Sequence, residues 1–278
     1  MAELLTILED ALIDVAKLIP FLFVTYLLME WMEHETGQKL EHFLERHRRI
    51  APFAGALFGL IPECGFSSAS SSLYTSHVIS AGTLIAVYLS TSDEMLPILI
   101  SNQAPVSTIL KILSVKFIVA LGAGYLADSF SRHDKTDIES FCEREECECE
   151  DGVLKSALIH TLKITVWLFA ITFLIDAVMD SFGMDAMKAL ITGHPSVSVV
   201  TCSLLGMIPS CASSILLTTL YLDGVISFAS VCAGLLANAG VGIMVLFRVN
   251  PDKKNNLKIV GYVWLVSFIS GLLLELIF

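Results

Sequence analysis

Two short segments carry most of the chemistry in this chain. The first reads Gly59-Leu60-Ile61-Pro62-Glu63-Cys64, followed by Gly65, Phe66 and the run Ser67-Ser68-Ala69-Ser70-Ser71-Ser72. The second reads Gly206-Met207-Ile208-Pro209-Ser210-Cys211, followed by Ala212, Ser213 and Ser214. Both sit inside apolar runs. Pro62 and Pro209 each remove a backbone donor and crowd the preceding turn, so a helix is expected to break there. Carbonyls and amides freed at membrane depth must be buried in protein or line a wet cavity. The hydroxyls of Ser67, Ser68, Ser210, Ser213 and Ser214 are suited to such a cavity. Glu63 is a carboxylate in an apolar run, a costly placement that usually marks function or pairing. It suits a cation or a coupling proton. Cys64 and Cys211 supply thiolates, which favour soft ions. The plainer readings are a packing kink, a glutamate near the interface, and two small hydrophobic cysteines.

A second pair of positions interrupts apolar sequence in the same way. Thr91-Ser92-Asp93-Glu94 breaks the stretch 78–101, and Asn238-Ala239-Gly240 breaks the stretch 225–248. Oxygen donors of this kind suit hard cations such as Mn(II), and a short solvated turn is the plainer alternative. The candidate metal ligands are Glu63, Cys64, Asp93 and Cys211. Pro62, Ser67, Ser68, Thr91, Glu94, Pro209, Ser210, Ser213, Ser214 and Asn238 are the further residues expected to line a substrate site. Cys142, Cys147 and Cys149 lie in an acidic run and could capture a soft metal, although CxxxxCxC is no standard zinc spacing and a flexible tether is the simpler reading. No residue is assigned a catalytic role, and no cofactor is implied.

These residues need elements to hold them. The chain has 278 residues, is 55% hydrophobic and only 16% charged, against about 25% charged in an ordinary soluble domain. Its mean hydropathy is +0.73. A core of this size cannot bury that much apolar surface, so lipid must solvate part of it. Apolar runs of membrane length, about 20 residues, occur near 11–32, 51–74, 105–129, 156–179, 197–222 and 257–277. The residues before the first run include Glu3, Glu9 and Asp10 and lack a basic region, unlike a secretory signal. Net charge is −11, concentrated between Arg132 and Asp151, where acids outnumber bases. That run reads as a solvated linker, and no basic cluster suggests nucleic acid.

The spacing comes from a duplication. Shifted by 147 residues, Leu57–Leu89 aligns without a gap on Leu204–Leu236, with Pro62 on Pro209, Cys64 on Cys211 and Tyr74 on Tyr221. The same shift carries Thr91 onto Asn238 and Asp93 onto Gly240. The expected fold is therefore all-α and integral to the membrane. It has a first repeat at 1–130, an acidic linker at 131–155 and a second repeat at 156–278. Each repeat has about five transmembrane or half-membrane helices, discontinuous at the Pro-x-Cys motifs. Basic residues cluster in 33–50, the linker and 248–258, whereas 101–107 has none. Cytoplasmic loops are enriched in Lys and Arg. Five passes per half put all three basic loops inside and give inverted topology, with both termini outside and the linker cytoplasmic. Lys111 and Lys116 fit less well, since both are expected near the outer end of their helix.

The residues also carry a resemblance. Phe58 to Ser68, Tyr88-Leu89-Ser90-Thr91-Ser92-Asp93-Glu94-Met95-Leu96-Pro97, and Gly206 to Cys211 resemble the bacterial and archaeal family of ten-pass heavy-metal exporters. Members are variously labelled arsenic efflux protein or manganese transporter, and the family is distantly similar to the arsenical permeases. The resemblance covers nearly the whole chain apart from the linker. It implies a ten-helix transporter of the prokaryotic inner membrane that exports a toxic metal or metalloid.

The function expected from these readings is secondary-active, proton-coupled export of a metal ion or metalloid, Mn(II) or As(III) in class, by alternating access between two repeats. No GxxxxGK[ST] phosphate loop is present to suggest an ATPase. The expected partners are the lipid bilayer, the inorganic substrate and protons; homo-oligomerisation stays open. Two other classes compete. Opposed half-helix N-termini could instead bind an organic or lipid-linked anion. A membrane enzyme could use Cys64 or Cys211 as a thiol, although no His lies in either motif to serve as its base.

Overall fold

The computed structural model describes residues 50–61, 64–92, 95–130, 153–182 and 195–277, with scattered positions between 12 and 27. The described residues form helices joined by short connections, with no strand among them. In chain order these are α1 (Ala51–Gly59), α2 (Cys64–Thr75), α3 (Ala81–Ser90), α4 (Met95–Ser101), α5 (Val106–Phe130), α6 (Val153–Phe182), α7 (Pro195–Gly206), α8 (Cys211–Leu222), α9 (Phe228–Ala237), α10 (Gly242–Val249) and α11 (Lys253–Ile277). The linker, with Cys142, Cys147 and Cys149, lies outside the described residues, as does most of the first apolar run.

Helix bounds recur at the spacing seen in the sequence. A shift of 147 residues carries α2, α3 and α5 onto α8, α9 and α11 at both ends, and the start of α4 onto the start of α10. Local chemistry recurs with the bounds. Ser80 and Ser227 cap α3 and α9, accepting from the backbone N–H of Thr83 and Ser230, as N-cap hydroxyls do. An acid from the following long helix joins each cap. Asp128 accepts from the Ser80 hydroxyl at 2.8 Å and from the Gly82 N–H at 2.9 Å, and Glu275 accepts from the Ser227 hydroxyl at 3.0 Å.

The far ends of α2 and α8 close by one pattern too. The Val78 N–H donates to the Leu73 carbonyl and the His77 N–H to the Tyr74 carbonyl. Val225 to Leu220 and Gly224 to Tyr221 repeat this. Such a Schellman ending puts one residue in the left-handed region. That residue is Gly224 at φ +71 in one half and His77 at φ +58 in the other.

Packing follows the same plan. α1, α3 and α5 pack on one another, as do α7, α9 and α11, and α3 meets α9 between them. Leu84, Leu89, Leu236, Ile243 and Val263 share one buried cluster drawn from both halves. Because lipid tails are as apolar as leucine, close approach through small residues is what favours helix pairing in a membrane. A Cβ on Gly206 would come within 2.0 Å of the Gly234 carbonyl, and one on Gly59 within 2.8 Å of the Val87 carbonyl. Gly234 and Val87 are themselves matched positions.

Among the described residues, four stretches are long and apolar enough to cross a membrane, and they divide into two kinds. Val106–Ser129 and Lys253–Ile277 are unbroken and only 22% buried. They present Ile118, Leu126, Leu265 and Leu273 outward. Ala81–Ser101 and Phe228–Val249 each run across an interruption and are 75% and 94% buried. Non-helical backbone at membrane depth is tolerated only inside protein or against a wet cavity. The interrupted pair accordingly sits at the centre and the continuous pair at the rim. Leu22, in the first apolar run, packs with Ile164 and Leu168 of α6 and Val245 of α10.

Candidate functional site: two helix interruptions and a buried lysine

The break at Pro209 is described in full. α7 closes as the Met207 and Ile208 N–H groups donate to the Leu204 and Leu205 carbonyls at 3.1 and 3.0 Å. Proline has no donor to continue the ladder, and serine hydroxyls meet the carbonyls left at the break. The Ser213 hydroxyl lies 3.1 Å from the Ile208 carbonyl and 2.8 Å from the Ser210 carbonyl. The Ser210 hydroxyl caps α8 by accepting from the Ala212 N–H at 3.2 Å. The Ser214 hydroxyl donates to the Cys211 carbonyl at 2.9 Å. Ser210, Cys211, Ser213 and Ser214 are all buried. The hydroxyls flanking Pro209 therefore bond to backbone at the break.

The matching break closes α1 in the same manner, the Leu60 and Ile61 N–H groups donating to the Leu57 and Phe58 carbonyls. Pro62 and Glu63 lie outside the described residues, and so does the side chain of Cys64. Beyond it, α2 buries Ser67, Ser68, Ser70, Ser71 and Ser72. The Ser71 hydroxyl is 2.7 Å from the Ser67 carbonyl and 2.8 Å from the Gly242 carbonyl of α10. The Tyr88 hydroxyl joins it, 2.7 Å from Ser71 and 3.1 Å from the same Gly242 carbonyl. Helix α10 can come this close because Gly242 has no side chain: a Cβ there would meet the Ser67 backbone carbon at 2.8 Å.

At the other interruption α3 ends on a run of buried hydroxyls. Ser90 bonds back to the Ala86 carbonyl at 2.8 Å, Thr91 to Val87 at 2.7 Å, and Ser92 to Ser90 at 3.0 Å. Asp93 and Glu94 lie outside the described residues. In the second half Asn238 is buried, and its side-chain oxygen accepts from the Gly240 N–H at 2.9 Å. That bond shapes a turn in which Gly240 takes φ +57, a conformation that costs glycine nothing.

Between these ends lies a residue whose position the sequence reading misjudged. Lys116 is not near an end of its helix. It stands about 15 Å along α5 and is 1% exposed. Its ammonium donates to the Thr91 carbonyl in the first half and, at 2.6 Å, to the Leu235 carbonyl of α9 in the second. Cys232, one turn earlier on α9, is near enough to feel its charge. A lysine at the centre of a membrane helix costs about 2.5–3.5 kcal/mol on insertion scales. Hydrogen bonds to a charged group are worth about 1.5–3 kcal/mol each, so the two carbonyls contribute to offsetting that cost. The signal was available, because a lysine with ten residues of α5 before it and apolar neighbours on both sides is an intramembrane charge. Its repeat partner, Val263, gave no hint, being an ordinary buried aliphatic residue.

Among the described residues, no three His, Cys, Asp or Glu side chains converge on a point that could hold a metal. What the described geometry brings together is hydroxyl, carbonyl and one ammonium, at matched helix ends from the two halves.

No curated protein sequence and no solved structure matches the chain. A family profile does, with the description "Putative, 10TM heavy-metal exporter", over residues 1–193 and 185–278. The two matched segments together run the length of the chain, including both interruptions and the lysine between them, and the chain belongs to this family of ten-transmembrane heavy-metal exporters.

Proposed function

We propose that the protein is a secondary-active, proton-coupled exporter of a metal ion or metalloid, working by alternating access between two inverted repeats with discontinuous helices. The observation that carries this reading is a reciprocal exchange. The helix after the first proline, α2, packs on α10 of the second half, and the helix after the second proline, α8, packs on α4 of the first. Each half thus lends the helix beyond its second interruption to the other half's post-proline helix. Shared seams of this kind let one unit rock against the other around a fixed centre, as in transporters built from inverted repeats. The membership of the chain in an exporter family supports the direction of transport.

In this reading Glu63 and Asp93 supply oxygen ligands or the coupling proton, with Glu94 beside them, and Cys64 and Cys211 supply thiolates. Pro62 and Pro209 hold the helices open. Thr91, Asn238 and the serines Ser67, Ser68, Ser210, Ser213 and Ser214 line the path. Cys142, Cys147 and Cys149 serve as a cytoplasmic capture point. Ligand hardness then decides the substrate. Inside-out vesicles loaded by the protein with As(III) or Mn(II) would test it. Glu63→Gln is expected to lower uptake of either ion at least tenfold, and Cys64→Ser to abolish As(III) uptake while sparing Mn(II). Full uptake of both ions by both variants would sink the central-site reading. Transport that survives metal chelation and follows an added anion would replace it with the anion carrier.

A further inference from the structure

Lys116 stands out once the site is assembled, because its ammonium is where a free cation would be expected. Backbone carbonyls left over at helix C-terminal ends carry partial negative charge, and paired carbonyls from unwound segments are common seats for cations in transporters. The Thr91 carbonyl follows the last turn of α3, and the Leu235 carbonyl belongs to the last turn of α9. They come from matched helices of opposite halves, and both accept from Lys116. The described residues around it, Thr91, Ser92, Leu235, Cys232 and Asn238, are all at least nine-tenths buried. The repeat partner of Lys116 is Val263, so this cation is built in on one side only.

We infer that the Thr91 and Leu235 carbonyls form a monovalent-cation site which the chain fills with its own Lys116 ammonium, so that a tethered cation clamps α3 to α9. No separate ion is needed at this point. A side-chain ammonium also brings N–H donors that can turn to both carbonyls, so the site favours a primary ammonium over a fully alkylated one. The clamp's part in transport rests on the alternating-access reading above, since rocking of the halves requires the ammonium to leave one carbonyl. The cation site itself does not rest on it.

The test is thermal unfolding of the purified full-length protein in detergent, with methylammonium as the probe. Lys116→Ala removes the stem and the ammonium and leaves both carbonyls facing a cavity. Its Tm is expected to fall, and to recover with methylammonium as the logarithm of amine concentration above its dissociation constant, by about 3 °C or more once the amine exceeds that constant tenfold. Tetramethylammonium, which has no N–H, is expected to give no recovery, and the wild type no response to either. Lys116→Met keeps the stem volume and removes the charge, so it is expected to be destabilised without amine recovery. An alanine variant indifferent to methylammonium, or a wild type that responds equally, overturns the site. If the purified alanine variant does not stay folded, the same variant is tested in cells, with methylammonium in the growth medium expected to raise the amount of folded protein severalfold; no increase overturns the site.

The transport readout separates the two proposals. A methylammonium-responsive Tm in a variant whose metal uptake equals the wild type's would keep the cation site and remove the clamp. Loss of metal transport in every form of the protein would leave the Tm result standing.

Discussion

The seam between α2 and α10 and the seam between α8 and α4 occupy matched places in the two halves, yet they are built from opposite chemistry. At the first, Gly242 lets α10 lie against Ser67, and Ser71 and Tyr88 share the Gly242 carbonyl. At the second, the residue matched to Gly242 is Met95, fully buried in a cluster with Leu99, Leu216, Leu217 and Leu220. Tyr88 itself is matched by Leu235, and Ser68, Ser70, Ser71 and Ser72 of α2 are matched by Ile215, Leu217, Thr218 and Thr219 of α8, only Ser67 keeping a serine, Ser214. Duplication has kept the helix plan and let the lining diverge. One seam is centred on an apolar cluster around Met95; the other carries hydroxyls of Ser71 and Tyr88 on the Gly242 carbonyl.

The most disruptive way to break this comparison is to exchange its two key residues. Gly242→Met should abolish folded protein, because even a Cβ meets the Ser67 backbone at 2.8 Å and overpacking of backbone against backbone has no rotamer to escape through. Met95→Gly should leave a folded protein destabilised by about 2–5 kcal/mol, the range for emptying a buried methionine site. Purification yield and thermal unfolding would show the asymmetry; equal tolerance at both positions would mean the two seams are alike.

Smaller changes sharpen it. Asp128→Asn should cost about 1.5–3 kcal/mol, as the loss of hydrogen bonds to a charged acceptor at the half-buried cap of α3. Glu275→Gln, at a more exposed cap with one such bond, should cost under about 1 kcal/mol. Tyr88→Phe should cost about 1 kcal/mol, since the Ser71 hydroxyl remains to donate to Gly242. Gly224→Ala should also cost about 1 kcal/mol, entirely through the left-handed backbone, because nothing lies within 4 Å of its Cβ position. His77→Gly at the matched position should move stability in the opposite direction. Each difference is readable in Tm of the purified protein.

Much of this plan was legible in the residues, and the parts that were not share a cause. Proline marked the ends of α1 and α7, and the 147-residue frame anticipated helix bounds well beyond the aligned stretch, including those of α11. Periodicity and spacing, however, report which residues lie on a helix and not which helix it meets. The exchange of α4 and α10 between halves could not be read from them. The matched acids Asp128 and Glu275 fell outside the aligned segment and differ in type. His77 hides a left-handed residue that Gly224 announces openly. Serines near the prolines read as a polar lining, yet Ser213, Ser214 and Ser71 also reach nearby carbonyls, because short hydroxyl side chains compete for their own backbone. Lys116 was misplaced because loop-charge counting treats every lysine as an interface marker, whereas this one is offset by two carbonyls in the interior.

The proposed mechanism requires the two matched halves to face opposite ways in the membrane, and labelling of intact cells by a membrane-impermeant thiol reagent tests that directly. Ser101→Cys and Lys254→Cys place thiols at exposed residues beside the two matched loops, 102–105 and 250–252. Inverted repeats predict that Ser101→Cys is labelled in intact cells, while Lys254→Cys and the native linker cysteines react only after the membrane is permeabilised. Labelling of Ser101→Cys and Lys254→Cys from the same side would contradict inverted topology and, with it, the alternating-access mechanism built on it.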